Sequence, residues 1–152
     1  MSTTQPIRSK QLLHDFKEYY LTKQSNSRNY TLILIGLNTA LRINDILHLT
    51  WGDVYCTEHS RFYTHLLITE KKTEKETRIL INRELQETLL SYRKTQPSIA
   101  DTDYLFPSPR KTSSPLSRYQ AYRIVRKAAE AVGIEDVIRC HSLRKTFGYH
   151  AW

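Results

Sequence analysis

The amino-acid sequence predicts an α+β chain, mainly helical, whose helices pack with a small three-stranded antiparallel sheet. Three observations lead there. Apolar residues recur at helical spacing along most of the chain. Residues 61–69 and 76–82, rich in Tyr, Thr, Leu and Ile, flank the charged segment 70–75 as strands flank a hairpin turn. Finally, 152 residues with 39% apolar content suffice for one core, and no repeat or low-complexity tract interrupts them. A single domain over residues 1–152 follows.

In order along the chain, Leu12, Leu13, Phe16, Tyr19 and Tyr20 follow the N-capping residue Ser9, which predicts a helix over 10–23. A second helix starts at Ser27. Its run from Leu32 to Leu37 is apolar on nearly all sides, as in a central buried helix, and its expected end is near Arg42. Asn44 can cap a short turn through Leu49, which Trp51-Gly52-Asp53 then breaks. Val54 to Thr57 supplies the expected third strand beside the hairpin. Asn82 caps a helix with Leu85, Leu89 and Tyr92 on one face, closed by Pro97. The Pro and Ser cluster at 107–115 reads as a loop. Ala121, Val125, Ala128 and Val132 line one face of a helix over 116–132 that Gly133 stops, and a last helix starts near Ser142 and still runs at Trp152.

Charge narrows the partner. Lys and Arg number 23 against 15 Asp and Glu, for a net charge of +8. The pI near 9.6 favours a polyanion, and nucleic acid is the expected partner. A membrane-surface binder needs a basic helix with an apolar face open to lipid. No apolar stretch reaches the length of a membrane span, and no signal-peptide core follows Met1, so a cytoplasmic protein without a membrane partner is expected. Cys56 and Cys140 lack C-x-x-C spacing and the six histidines lack zinc spacing with them; free thiols, no metal and no cofactor are expected.

Some residues carry chemistry. Arg42 stands between a buried helix and a short apolar turn, where a cation needs an anion. It is either a structural arginine paired with Asp45 or with helix-end carbonyls, or a ligand-binding one. His141 and Arg144, three apart at a helix start, project to one side, where the helix dipole favours an anion. Alone, His141 reads equally as a surface or capping histidine, and Lys72 as a solvated turn residue among Glu70, Glu74 and Glu76. Residues 104–129 hold six Lys or Arg and no Asp or Glu, which suits phosphate contacts or a solvated helix face.

Taken in order, these residues resemble a known family, the tyrosine recombinases or phage integrases. Thr39-Ala40-Leu41-Arg42-Ile43-Asn44-Asp45-Ile46, with Leu49 and Trp51-Gly52-Asp53-Val54, resembles its first-arginine box. The segment from Lys72 to Arg78 resembles its hairpin lysine, and His141-Ser142-Leu143-Arg144-Lys145-Thr146-Phe147 its HxLRHTF box. The likeness spans roughly Asn26 to Trp152. Ala40 stands where Gly is usual, Asp45 where Glu is usual and Lys145 where His is common.

That resemblance implies the family's catalytic-domain fold and site-specific DNA recombination through a 3′-phosphotyrosyl link, with no metal. Arg42 and Arg144 then clamp nonbridging phosphate oxygens with bidentate forks. Lys72 protonates the departing 5′ oxygen, and His141 moves the nucleophile's proton or hydrogen-bonds the phosphate. Lys71, Lys75, Arg118, Arg123, Arg126, Lys127 and Lys145 are the expected contacts to double-stranded DNA. Two departures bear on activity. The family's tyrosine nucleophile follows the HxxR box by a few dozen residues, so it is expected beyond Trp152, and Tyr149 is expected to be a packing residue. The chain is therefore expected to be a partial, inactive catalytic domain lacking a separate N-terminal core-binding domain, with self-association on DNA belonging to the full-length protein. The competing readings are a non-cleaving DNA-binding remnant, a type IB topoisomerase-like enzyme and a basic helical module without a phosphate pocket.

Overall fold

The computed structural model describes residues 4–69, 73–96 and 98–151. Helix α1 (Lys10–Glu18) opens as expected, with the Ser9 hydroxyl accepting from Leu12 N at 3.2 Å. The next turn, Tyr19–Lys23, widens to a π-turn in which Gln24 N donates to Tyr19 O at 2.9 Å. Tyr20 thereby faces inward, and its hydroxyl donates to Ile124 O at 2.7 Å.

Helix α2 (Ser27–Asn38) is the central helix. Leu32, Ile33, Leu34 and Ile35 are at most 1% exposed, and α2 packs against α1, α5 (Arg83–Lys94) and α7 (Cys140–His150). It stops at Asn38, short of the expected end near Arg42. Thr39 is extended and its hydroxyl donates back to Ile35 O (2.7 Å), while Asn38 Nδ2 donates to Leu34 O (2.9 Å). Side chains thus satisfy carbonyls that a further helical turn would have used. Arg42 consequently adopts the extended conformation of an N-cap residue, ahead of the short helix α3 (Ile43–Leu47), in the place expected for Asn44. Trp51–Val54 forms one helical turn, α4, where a break was expected, because the Asp53 carboxylate accepts from Thr50 N (2.8 Å) and Thr50 Oγ1 (3.1 Å).

Among the described residues, two two-stranded antiparallel sheets stand in place of the expected three-stranded one. Strand β1 (Tyr55–Cys56) pairs with β2 (Arg61–Phe62), and β3 (His65–Thr69) pairs with β4 (Glu76–Leu80), Leu67 standing opposite Arg78. The stretch expected as one strand over 61–69 divides at Tyr63 and Thr64. Tyr63 N donates to Val54 O, whereas Thr64 O accepts from Ile81 N, both at 2.8 Å, so its two halves serve different partners.

Helix α5 is capped by Asn82 as expected, with Oδ1 accepting from Leu85 N at 2.9 Å. It ends at Lys94, and Pro97 lies outside the described residues. The loop through 107–115 is clipped at its base by a Pro107–Pro115 bridge and by Leu116 N on Phe106 O at 2.7 Å. Helix α6 (Arg118–Ala131) is capped by Ser117 and buries Ala121, Val125 and Ala128; Gly133 follows at φ +81°, the left-handed position that stops a helix. Helix α7 begins at Cys140, ahead of Ser142, with Arg139 N donating to Ser142 Oγ at 3.0 Å. Its last helical residue is His150, with Ala151 as C-cap, and Trp152 lies outside the described residues.

Candidate functional site

Arg42, His141 and Arg144, drawn from distant parts of the chain, line one concavity of about 830 Å³. Three helix starts surround it. Arg42 is the N-cap residue of α3, Arg118 opens α6, Arg139 is the N-cap residue of α7, and His141 lies in the first turn of α7. The positive dipole ends of α6 and α7 therefore add to the side-chain charge. No Asp or Glu is among the described residues that line it.

The arginines here are unspent. Among the described residues, Arg42, Arg118, Arg139 and Arg144 make no ion pair or side-chain hydrogen bond; the ion pairs join Lys17 to Glu84, Arg83 to Glu87 and Arg126 to Glu130. Arg42 is thus not held by Asp45 or by a helix-end carbonyl. Arg42 and His141 are exposed and Arg144 half-buried, so their guanidinium and imidazole groups are open to a ligand. Unneutralised cations converging on a concave surface make a focused positive potential. Planar guanidinium forks suit a bidentate oxyanion such as a phosphate.

Arg139, Tyr119, Tyr122 and Thr4 also line the concavity and are absent from the sequence-based set. Tyr119 is 67% exposed, an aromatic held open to solvent on the same first turn as Arg118. The available signal was the run Arg118-Tyr119 followed by Tyr122, which places aromatics beside a basic residue at a helix start. Cys140 lines the concavity as well. Burial pushes its thiol up to about 11 against a smaller lowering by Arg118, so it remains a neutral thiol at physiological pH.

None of the other described sequence-predicted residues, Arg118 apart, lines the concavity. Lys71 and Lys72 lie outside the described residues, and Lys75 is exposed in the β3–β4 turn; no described hairpin residue lines the concavity. Arg123, Arg126 and Lys127 face a separate groove of about 750 Å³, with Tyr119 and Tyr122 as the ridge between the two. Arg126 is bound to Glu130 at 2.7 Å. Lys145 donates to Thr4 O (2.7 Å) and Thr4 Oγ1 (3.1 Å) and so binds the fold itself. Tyr149, expected to be a packing residue, is 49% exposed; it stands edge-on to His150, with the Arg8 guanidinium 6.0 Å from its ring centroid. Among the described residues no group of His, Cys, Asp or Glu is placed to hold a metal ion, and no helix is long and apolar enough to cross a membrane.

The fold is that of solved recombinases. The crystal structure of XerA recombinase superposes with a TM-score of 0.74 over 96% of this chain and 50% of that one, at 22% identity. A lambda integrase dimer bound to a COC' core site gives 0.67 over 97% and 40%, at 19% identity. The phage integrase family pattern matches residues 5–151, and the chain belongs to that family. It is 46% identical over 150 residues to "Probable integrase/recombinase YoeC" of Bacillus subtilis (strain 168), covering 99% of this chain and 76% of that protein. It is 31% identical over 125 residues to "Type 1 fimbriae regulatory protein FimB" of Escherichia coli (strain K12), covering 81% of this chain and 59% of that protein.

Proposed function

We propose that the concavity holds a phosphodiester of duplex DNA and that the protein cuts and rejoins DNA at specific sites through a 3′-phosphotyrosyl link. The observation that carries this reading is the convergence of Arg42, Arg118, Arg139 and Arg144, without ion pairs, around His141. Arg42 and Arg144 bind the nonbridging oxygens on which charge develops during attack. His141 moves the nucleophile's proton or hydrogen-bonds the phosphate, and Lys72 gives a proton to the departing 5′ oxygen. The nucleophile in this reading is a tyrosine outside these 152 residues. Tyr149 is not among the residues lining the concavity, and Tyr119 and Tyr122 precede the HxxR box that the family's tyrosine follows.

Inorganic phosphate tests the pocket directly, with the His141 imidazole resonance as reporter. Arg42→Ala and Arg144→Ala should each weaken its response about tenfold or more, the scale of one charge-assisted hydrogen bond. Unchanged responses in both variants would overturn the assignment.

A further inference from the structure

One flank of α7 faces the concavity through His141 and Arg144, and another packs on α2 through Leu143. A further flank is bound along its length by residues 4–7. Gln5 N donates to Val137 O (3.1 Å) just ahead of the helix, Lys145 Nζ to Thr4 O (2.7 Å), and Ile7 N to Thr146 Oγ1 (2.9 Å). His150 Nε2 completes the series, 2.8 Å from Ile7 O. The two ends of the strap are buried, with Thr4 4% and Ile7 2% exposed, and Gln5 and Pro6 between them are half-buried. Thr4 is also a wall of the concavity.

We infer that residues 4–7 are a positioning strap for the phosphate-binding concavity, and that Lys145 and Thr146 are the positioning residues that fasten it. A helix held on one flank alone can still roll about its axis, and side chains three apart on its open flank swing with it. Bonds from Val137, three residues ahead of α7, to His150, its last residue, oppose that roll. They fix the direction in which Arg144 and His141 point toward Arg42, which stands on a different element. Lys145 follows Arg144 directly but spends its ammonium on Thr4, so its charge serves the strap and not a DNA phosphate. Whatever displaces the strap therefore alters the pocket, which couples the segment ahead of α1 to phosphate binding. The inference rests on the phosphate reading above.

The test uses the 152-residue chain with inorganic phosphate, then a DNA duplex, as probes. Thr146→Val removes the acceptor of Ile7 N without changing charge; Thr146→Ser retains it. Lys145→Met removes the ammonium and Lys145→Arg retains a donor. Thr146→Val and Lys145→Met should weaken the His141 response to phosphate about fivefold or more, the lower range of coupling between sites, at temperatures where circular dichroism shows them folded. Thr146→Ser and Lys145→Arg should restore most of it. On duplex DNA, Lys145→Met should leave the slope of log affinity against log salt unchanged. A slope shallower by about 0.9 would mark Lys145 as a phosphate contact and overturn its place in the strap. Folded Thr146→Val with a wild-type response would reduce the strap to a stabilising contact and overturn the inference. A wild-type chain that ignores phosphate would instead overturn the pocket reading and the strap's role with it.

Discussion

Gly36 offers a direct test of how α7 is seated. A methyl group added there would stand 2.5 Å from Leu143 Cδ1, 3.0 Å from its Cβ and 3.3 Å from its Cγ. Carbon atoms pack comfortably at roughly 3.5–4.0 Å. Rotating the Leu143 side chain relieves the first distance but not the second, because Cβ moves only with the α7 backbone. Gly36→Ala must therefore part α2 and α7 by about half an ångström or more. Two effects then compete. Alanine gains about 1 kcal/mol of helix propensity over glycine, while overpacking costs about 1–3 kcal/mol. The net loss is up to about 2 kcal/mol, a fall in Tm of as much as roughly 8 °C for a chain of this size. Thermal unfolding followed by circular dichroism measures it. In a Leu143→Ala background the same substitution should cost less, because the contacts with Cδ1 and Cγ are gone and only the 3.0 Å contact with Cβ remains, and the double-mutant cycle should show a coupling of about 0.5 kcal/mol or more. If Gly36→Ala raises Tm by the full propensity gain and the cycle is additive, the close approach of α2 and α7 is wrong.

Two further outcomes follow from charge and burial. The chain should bind duplex DNA with little sequence preference and lose affinity with salt at a log-log slope of about −0.9 per phosphate contacted; Arg118→Ala should make the slope shallower, and salt-independent binding would contradict an electrostatic interface. Burial raises the Cys140 thiol from 9.0 to about 11 and the Tyr20 and Tyr92 hydroxyls from 10.0 to about 12, so the unfolded chain releases these protons first. Stability is whole below about pH 9 and falls as pH rises through 11 and then 12; urea midpoints should show the fall, Cys140→Ser should remove its first part, and a flat midpoint from pH 9 to 11 in the wild type would refute the burial argument.

How much of this fold could be read from sequence depends on how local the determinant is. Ser9, Asn82 and Gly133 act on a backbone within three residues, and the helix ends they mark stand where the residues predict. The end of α2 was misplaced because periodicity sees apolar spacing, not the back-bonding of Asn38 and Thr39 onto their own helix. The hairpin formed where the residues predict, as β3 and β4, but the strand count differed for the opposite reason. Residues 61–69 have uniform β composition, but their division at Tyr63 is imposed by Val54 and Ile81, which are brought there by other elements.

The same distinction runs through the site. His141 and Arg144 were legible because their spacing fixes their relation within one helix, and Arg42 because the boxes resemble a family. Net charge was a poorer guide. It weighs Arg118, Lys145 and Arg126 alike, yet the fold uses them differently. Lys145 is bonded to Thr4, Arg126 to Glu130, and Arg118 is left without a partner among the described residues, beside Arg42, Arg139 and Arg144. A chain folding for stability alone gains by pairing its cations or scattering them in solvent. Keeping several unpaired around one concavity costs self-repulsion that an arriving anion offsets. The unpaired arginines, and not the total of +8, are therefore what supports the proposed phosphate site on this surface.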